Sequence, residues 1–261
     1  MKQSRVALTT VLILLLAVIL FVLTACSKKD STTEPGPEYG IVAGTVYAQG
    51  RAVLPDATVS IGTKTTQTDS NGNFILFDIP AGAGVKVDFA KTGYISNQKI
   101  VVVSYGKTVH TSSTLLVPRT QTFSATAENL LYDFNVSNTI GIPADAFMDG
   151  SGNTFTGTVL SEMRFFDPTD PDNLSAFPGT FSGVRIDGTE TMFESYGFLN
   201  ASFYDANNPN TELKLRTGKQ AAIRYAIPAA LQASAPATIP LWNYDSELGK
   251  WKEEGSATRN G

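Results

Sequence analysis

Residues 68–77, TDSNGNFILF, combine a tight turn with the start of a strand. Asn71-Gly72 readily supplies the positive φ that a turn between two strands requires, and Asp69 favours a turn through its own side chain. Residues 74–77 then form a short apolar run. We interpret the stretch as the turn of a β-hairpin followed by a strand.

Short apolar runs separated by turn residues continue on both sides of this hairpin. Residues 85–90 (VKVDFA) alternate in polarity, as a half-buried strand does. Long helical periodicity is nearly absent, and Gly, Asn, Asp and Pro punctuate the runs, which is typical of β-sandwiches and barrels. The sequence therefore predicts an all-β protein, with strands near 41–47, 58–61, 65–68, 74–77, 79–82, 85–90, 99–103 and 107–117. Further strands are predicted near 122–127, 155–160, 163–166, 181–185, 192–198, 201–204, 213–215 and 220–227, and a hairpin from 239–244 and 249–251.

Residues 39–117 resemble a known module. Five blocks carry the resemblance: Gly44-Thr-Val46, Leu54-Pro55-Asp56-Ala57-Thr-Val59, Thr68-Asp69-Ser-Asn-Gly72-Asn-Phe74, Ile79-Pro80-Ala-Gly82 and Lys91-Thr-Gly93-Tyr94. Together they are similar to the carboxypeptidase regulatory-like domain. The resemblance implies a seven-stranded prealbumin-like sandwich that spaces, binds or stabilises and has no catalytic site.

Residues 118–261 are predicted to form a second β-sandwich-like module. Their blocks loosely resemble the extracellular domain of cartilage intermediate layer proteins, which implies a structural or adhesive role without catalytic residues. Because further strands are expected after Gly255, we interpret the chain as truncated at its C-terminus, and a longer reading frame would test this. The blocks are Gly157-Thr-Val159, Asp167-Pro168 with Pro178-Gly179, Glu194-Ser195-Tyr-Gly197, Leu241-Trp242-Asn-Tyr244 and 249–255.

The first 25 residues have the pattern of a secretory signal. Two basic residues without an acid precede an apolar run over 6–23, which alone could also span a membrane as a helix. Leu23-Thr24-Ala25-Cys26 resembles the bacterial lipobox and decides for a cleaved signal peptide. The resemblance implies diacylglycerol on the Cys26 thiol, cleavage before Cys26 and acylation, for example by palmitate, of the new amino group.

Residues 26–38 are predicted to be a lipidated tether. The stretch 31–38 is polar and contains proline, as an extended linker does. No Asp follows Cys26 directly, so the signal that retains lipoproteins in the inner membrane is missing. Lys28-Lys29-Asp30 resembles the surface-export signal of Bacteroidetes lipoproteins, although an ordinary charged tether explains it equally well. We expect a bacterial cell-envelope protein, anchored by lipid in the outer membrane.

Composition excludes several kinds of partner and cofactor. Cys26 is the only cysteine, so neither an internal disulfide nor a cysteine zinc site can form. The net charge is −4, and the predicted signal removes two basic residues and no acid. An acidic chain does not suit nucleic acid, whose binders present a basic face. No cofactor is predicted.

The sequence offers little for catalysis. His110 is the only histidine and lies in an alternating run, where an exposed strand position explains it. There is no nucleophile elbow, metalloprotease motif, phosphate-binding loop or dinucleotide fingerprint. We therefore predict that the chain is not an enzyme, and a hydrolase is only a remote alternative.

Two sets of residues could bind a ligand. Asp167, Asp170 and Asp172 lie in one proline-containing loop that could hold Ca²⁺, although such loops are usually solvated. Trp242, Tyr244 and Trp251 flank one hairpin and could form a platform for sugars, whereas alternating aromatics in a hairpin more often pack within the protein. The predicted function is a structural or binding surface protein, and the alternative is glycan capture. The partners are the membrane, and either a glycan or another surface protein.

Overall fold

The computed structural model describes residues 38–260, which are almost entirely strands and their connections. The all-β prediction is confirmed. One five-residue helix, α1 (Pro171–Ser175), and two 3-10 turns (Gln49–Arg51 and Ala229–Leu231) are the helical segments of the described chain. Eight strands precede residue 118: β1 (Tyr39–Tyr47), β2 (Thr58–Ile61), β3 (Lys64–Gln67), β4 (Asn73–Pro80), β5 (Gly82–Ala90), β6 (Asn97–Val103), β7 (Thr108–His110) and β8 (Ser113–Thr114).

The remaining strands form the second half of the chain. They are β9 (Arg119–Ser124), β10 (Asn129–Tyr132), β11 (Thr139–Ile142), β12 (Phe147–Met148), β13 (Thr158–Phe166), β14 (Ser182–Val184), β15 (Glu190–Met192), β16 (Phe198–Asp205), β17 (Asn208–Glu212), β18 (Lys214–Leu215), β19 (Ala222–Arg224), β20 (Thr238–Asp245) and β21 (Lys250–Thr258). All the described strands belong to one compact unit, Glu38–Gly261.

The first half is a sandwich of two sheets. One sheet has the order β4-β1-β7, with β8 also on β1, and the other has the order β3-β2-β5-β6. Strands β7 and β8 lie one after the other along β1 and are both parallel to it. They therefore act as a single interrupted strand, and the sandwich has seven strand positions.

Alternate residues along each strand point into the core of this sandwich. Val42 and Val46 on β1 and Phe74 on β4 face Val59 and Phe89 from the opposite sheet, and all five are buried. The rings of Phe74 and Phe89 meet edge to face, with centroids 5.7 Å apart. Burying each such side chain contributes about 1.5–3 kcal/mol, so the alternating pattern decides which face of each strand points inward.

The predicted turn at 69–73 is present and is fixed by one carboxylate. Asp69 Oδ1 accepts hydrogen bonds from the backbone N–H of Asn71 at 2.9 Å and of Asn73 at 2.8 Å. Gly72 has φ of 75°, and a Cβ there would lie 2.7 Å from the carbonyl oxygen of Val46. Glycine is therefore required both for the backbone conformation and for the close approach of β1.

The second half contains four sheets. The sheet β17-β16-β13-β9 packs against the sheet β10-β11-β19 and the pair β12-β18, and the fourth sheet has the order β15-β14-β21-β20. Buried apolar side chains fill the space between the first three of these sheets: Phe123, Ala125, Leu131, Ile140, Ile142, Ala146, Phe147, Val159, Met163, Phe165 and Leu213. This arrangement agrees with the predicted second sandwich-like module, with an additional C-terminal sheet beside it.

The predictions for residues 192–198 and for the loop that contains Asp167, Asp170 and Asp172 were wrong. The strand expected over 192–198 is interrupted, because residues 193–197 leave the sheet before β16 begins at Phe198. Gly197 has φ of 146°, and the ring of Tyr225 occupies the space that any side chain at 197 would need. The proline-containing loop contains α1, which begins where the Asp170 carboxylate accepts from the N–H groups of Asp172 and Asn173.

Buried hydrogen bonds join the first sandwich to the C-terminal sheet. Gln98 on β6 is buried and accepts from the Tyr244 hydroxyl at 2.6 Å through Oε1. Its backbone carbonyl accepts from the N–H of Gly179 at 2.8 Å, and its amide donates to Asp88 Oδ1 at 2.6 Å. Because Gln98 lies on β6 and Tyr244 on β20, the hydrogen bond between them fixes the C-terminal sheet against the first sandwich.

Two lysines add to the same junction. Lys99 Nζ donates to the carbonyl oxygen of Phe177 at 2.6 Å, and Lys86 Nζ donates to that of Ser246 at 3.2 Å. Burial lowers the pKa of Lys99 to about 8. At this junction, lysines of the first sandwich thus donate hydrogen bonds to backbone carbonyl groups in loops of the second half of the chain.

Candidate binding site

The three aromatic residues predicted from the sequence lie on the C-terminal hairpin. Trp242 and Tyr244 are on β20 and Trp251 is on β21, and Tyr244 pairs directly with Trp251 across the two strands. Since residues two apart on a strand share a face, all three side chains lie on the same side of the sheet. The structure therefore brings them together, as a platform would require.

This aromatic face is turned toward the protein. Trp251 is 7% exposed, stacks on Phe177 with centroids 4.9 Å apart, and donates from Nε1 to the carbonyl oxygen of Pro178 at 3.1 Å. Trp242 stacks on Phe193 at 4.7 Å, and a Cβ on Gly183 would lie 2.7 Å from its ring. The geometry favours packing between sheets over an open sugar platform for this cluster.

Tyr244 has a structural partner of its own. Its ring tilts against Trp251 at 5.1 Å, and its hydroxyl donates to Gln98. Burial, together with the charges of Asp88 and Asp245, raises the pKa of the Tyr244 hydroxyl well above its usual range. The hydroxyl is thus held protonated as a donor to the first sandwich.

We expect Tyr244→Phe to lower the free energy of unfolding by about 1–3 kcal/mol, because Gln98 Oε1 becomes a buried acceptor without its donor. Urea unfolding followed by fluorescence measures the change. Tyr105→Phe is the matched control, since Tyr105 is 67% exposed, and it should change stability by less than about 0.5 kcal/mol. Equal stability of the two variants would show that the hydroxyl does not hold the junction.

The three acidic residues that were considered as calcium ligands each accept hydrogen bonds from different groups. Asp167 Oδ1 accepts from the N–H and hydroxyl of Thr169 at 2.8 and 2.6 Å, and Asp170 caps α1. Asp172 Oδ2 accepts from the backbone N–H of Gly50 at 2.5 Å, which ties α1 to the first sandwich. Between residues 38 and 260, no group of three or more His, Cys, Asp or Glu side chains is arranged to hold a metal ion.

The other singled-out residues lie apart from these. His110 is exposed at the end of β7, an edge strand of the first sandwich. Cys26 and the predicted signal and tether fall outside the described residues, so their predictions stay predictions. Within the described part of the chain, no helix is long and apolar enough to cross a membrane.

A polar pocket that we did not predict opens in the second half of the chain. Its volume is about 430 Å³, within the range of about 300–1,000 Å³ that is usual for small-molecule sites. Its walls come from the loop between β10 and β11, the end of β13, helix α1 and the segment that follows β19. Strands on two packed sheets therefore position the walls.

Two opposite charges are buried in the wall of this pocket. Asp133 is 4% exposed and Arg164 is 8% exposed. Asp133 Oδ2 accepts from the N–H of Phe165 at 3.0 Å, and Arg164 donates from one terminal nitrogen to the carbonyl oxygen of Val117 at 2.9 Å. Asp133 Oδ1 and Arg164 Nε have no hydrogen-bond partner in the described structure.

Two opposing effects act on the Arg164 guanidinium. Burial lowers the pKa of the Arg164 guanidinium, and the nearby charges of Asp133 and Asp170 act against that shift. The guanidinium also lies 5.3 Å from the ring centroid of Phe134, within cation–π range. The pocket of about 430 Å³, with these two buried charged residues in its wall, is the candidate binding site.

The sequence did contain a signal for these residues. Arg164 interrupts the apolar run Met163-Arg-Phe-Phe166, and Asp133 follows the apolar residues 130–132. A charge inside an apolar strand is seldom left unpaired. The sequence could not show that the two charges line one pocket, because Arg164 is on β13 and Asp133 lies in the loop after β10, which belongs to a different sheet.

Sequence similarity to curated proteins covers less than half of the chain. Cartilage intermediate layer protein 2 of Homo sapiens is 27% identical over 120 residues, 46% of this chain, and cartilage intermediate layer protein 1 of Mus musculus is 26% identical over 114 residues, 44% of it. These regions span only 10% and 9% of the two relatives. A partial similarity to cartilage intermediate layer proteins is thus confirmed, whereas the resemblance of residues 39–117 to the carboxypeptidase regulatory-like domain stays a prediction, and no protein-family model matches the chain.

Solved structures give fainter similarities. A type II cohesin–X-dockerin complex from Acetivibrio cellulolyticus contains a chain that is 24% identical, with a TM-score of 0.27 over 30% of this chain and 58% of that one. A Bacteroides uniformis protein provisionally assigned to carbohydrate binding is 11% identical, with a TM-score of 0.26 over 72% of this chain and 99% of that one. These TM-scores are too low to define a shared topology.

Proposed function

We propose that the chain is a non-catalytic, lipid-anchored surface protein that binds a ligand through its second half. The observation that carries the binding role is the pocket wall with buried Asp133 and Arg164, each with one hydrogen-bonding atom unpaired in the described structure. Retaining two buried opposite charges is costly unless they meet partners. A functional role for the pocket that these two residues line would account for that cost.

The way the sheets are joined supports a display role. Hydrogen bonds through Gln98 fix the C-terminal sheet to the first sandwich. The bond from the Gly50 N–H to Asp172 ties α1, one wall of the pocket, to the same sandwich. A rigid support reduces the entropy lost when a ligand binds. A tether before Glu38 would then carry the whole unit away from the membrane surface.

Anchoring through Cys26 is the second part of the proposal. The lipobox at 23–26 and the polar stretch that follows support it. Two or more acyl chains would make anchoring stable, since each buried CH₂ contributes about 0.8 kcal/mol. The bacterial outer membrane is the proposed location, with the β unit facing outward.

Cell fractionation tests the anchor. We expect the wild-type protein to sediment with membranes and to incorporate a palmitate analogue. Cys26→Ser should abolish labelling and leave the protein off the membrane or retained as an uncleaved precursor. Ser27→Ala is the control and should behave as wild type. Labelling of Cys26→Ser at the wild-type level would refute lipidation at this residue.

Glycan capture is the second candidate function, and the pocket supports it better than the aromatic hairpin does. Carboxylate and guanidinium groups beside an exposed ring suit sugar hydroxyls and the apolar face of a sugar ring. A hydrolase is the remaining alternative. Release of product from a broad panel of glycoside and ester substrates, lost on Asp133→Asn, would favour it over pure binding.

A further inference from the structure

We infer that the hairpin of β10 and β11 docks on a bilayer with anionic headgroups, an inference that rests on the proposed lipid anchor. Alternate residues, from β10 into the turn that follows it, carry large apolar side chains that face solvent. Leu130, Phe134 and Val136 are 66%, 65% and 71% exposed, and Tyr132 between them is also exposed. Exposed apolar side chains that lie together mark a surface that contacts a protein or a membrane.

The sheet face that continues from this turn is neutral or basic. β10, β11 and β19 pair in register, which places Tyr132, Thr139 and Arg224 in one row across the outer face. Arg224 is exposed, and the Arg119 guanidinium lies 4.2 Å from the ring centroid of Tyr132. None of the residues of these three strands is acidic, although the chain has a net charge of −4. The face is therefore complementary in charge to anionic headgroups, which strengthen the binding of apolar surfaces to membranes.

The order of residues along the hairpin favours a bilayer over a protein surface. Phe134 and Val136 lie in the turn. Tyr132, with Arg119 stacked on it, lies two residues before Phe134, about 7 Å back along the strand. Interfacial segments bury apolar side chains about 5–10 Å into the boundary between headgroups and acyl chains, and tyrosine is enriched at headgroup depth. Insertion of the turn thus puts Tyr132 and Arg119 at the level of the phosphates.

Hydrogen bonds within the turn reduce the cost of removing it from water. Asn135 Oδ1 accepts from the backbone N–H of Ser137 at 3.0 Å, and the Asn135 carbonyl oxygen accepts from the N–H of Asn138 at 3.0 Å. Asn138 Oδ1 accepts from the N–H of Ala226 at 2.9 Å, and Asp133 is buried. Because a polar group without a partner is costly to dehydrate, these internal bonds suit a turn that enters the membrane interface.

The proposed anchor keeps the hairpin near a bilayer. Fully extended, the chain from Cys26 to Glu38 spans at most about 40 Å. The β unit can stand off at the end of this tether, and the hairpin holds it on the surface when it docks. Because Phe134 also lines the Asp133–Arg164 pocket, docking places the mouth of that pocket at the membrane.

The test uses the full-length mature protein, reconstituted through its own lipid into phosphatidylcholine vesicles with or without phosphatidylglycerol. Val136→Cys carries a thiol-reactive, environment-sensitive fluorophore, and Val102→Cys, at a position on β6 that is 64% exposed, is the matched control. In vesicles with phosphatidylglycerol, we expect quenchers on the acyl chains to lower the emission of the label at 136 by about half. The label at 102 should keep its emission, and the quenching at 136 should be weaker without phosphatidylglycerol.

A charge in the turn should remove the contact. Phe134→Asp is expected to abolish the quenching at position 136, and it should fold because Phe134 is exposed. Met192→Asp, at a position on β15 that is 80% exposed, controls for the added charge and should leave the quenching unchanged. Quenching that persists in Phe134→Asp, or is lost equally in both variants, overturns docking through this turn.

The remaining outcomes separate docking from anchoring. Cys26 is the only native thiol, so a wild-type protein that takes up the fluorophore shows that the anchor proposal fails. The labels are then placed in Cys26→Ser, and the same comparison of positions 136 and 102 decides docking. An unreactive Cys26 with no quenching at 136 overturns docking and leaves the anchor standing. A blue shift at 136 that rises with protein concentration in detergent, without quenching in vesicles, shows that a second copy covers the face and overturns docking on a bilayer.

Discussion

Trp251→Ala is expected to lower the free energy of unfolding by about 3–5 kcal/mol, as removal of a large buried aromatic does. The indole packs between Phe177 and Tyr244, meets Phe193 edge to face at 5.8 Å, and donates to Pro178. Its removal leaves a cavity between the C-terminal sheet and the connection that precedes β14. The side chain thus contributes through packing and one buried hydrogen bond.

Urea unfolding of Trp251→Ala and Trp242→Ala measures this prediction and discriminates between the two roles proposed for the hairpin. Trp242 is only half-buried, so its variant should lose distinctly less stability. If Trp251→Ala kept wild-type stability and lost glycan binding instead, the residue would be part of a sugar platform and the packing interpretation would be wrong.

Gly44→Ala is expected to destabilise the first sandwich by at least about 3 kcal/mol, at the upper end of the range for overpacking. A Cβ on Gly44 would overlap the carbonyl oxygen of Thr111 and lie 3.1 Å from the ring of Phe74. The obstacle on one side is backbone, which cannot move without breaking the pairing of β1 with β7 and β8. The substitution therefore forces apart the strands that close one sheet.

Gly150→Ala is the matched control for this variant. A Cβ on Gly150 meets no atom within 4 Å, and its φ is not in the left-handed region. Melting curves of both variants should show a large loss for Gly44→Ala and little change for Gly150→Ala. Equal melting temperatures would mean that β1 does not approach the 111–112 segment as closely as the structure has it.

Strong local patterns explain why most of the first sandwich could be predicted. Residues 85–90 alternate and form part of β5, and Asn71-Gly72 marks the turn before β4. The strand expected over 107–117 is divided into β7 and β8, because Thr111 lies against Gly44 between the two pairings. This division depends on a residue more than 60 positions away, which no local pattern reveals.

The candidate site could be predicted only in part, because it depends on tertiary proximity. The aromatic hairpin was found from composition, yet its orientation is set by Phe177 and Phe193, which lie outside it. The Asp133–Arg164 pocket combines residues from two sheets and one loop. The pocket residues carry no pattern along the sequence that distinguishes them from other loop residues, so only the folded chain reveals them.

Mass spectrometry of the amino-terminal peptide, from protein extracted from the membrane, determines whether the binding protein is anchored by lipid. We expect Cys26 to be the first residue and to carry a thioether-linked diacylglycerol and an acylated amino group. A mature chain that starts at another residue, or that starts at Cys26 with a free thiol, would contradict it.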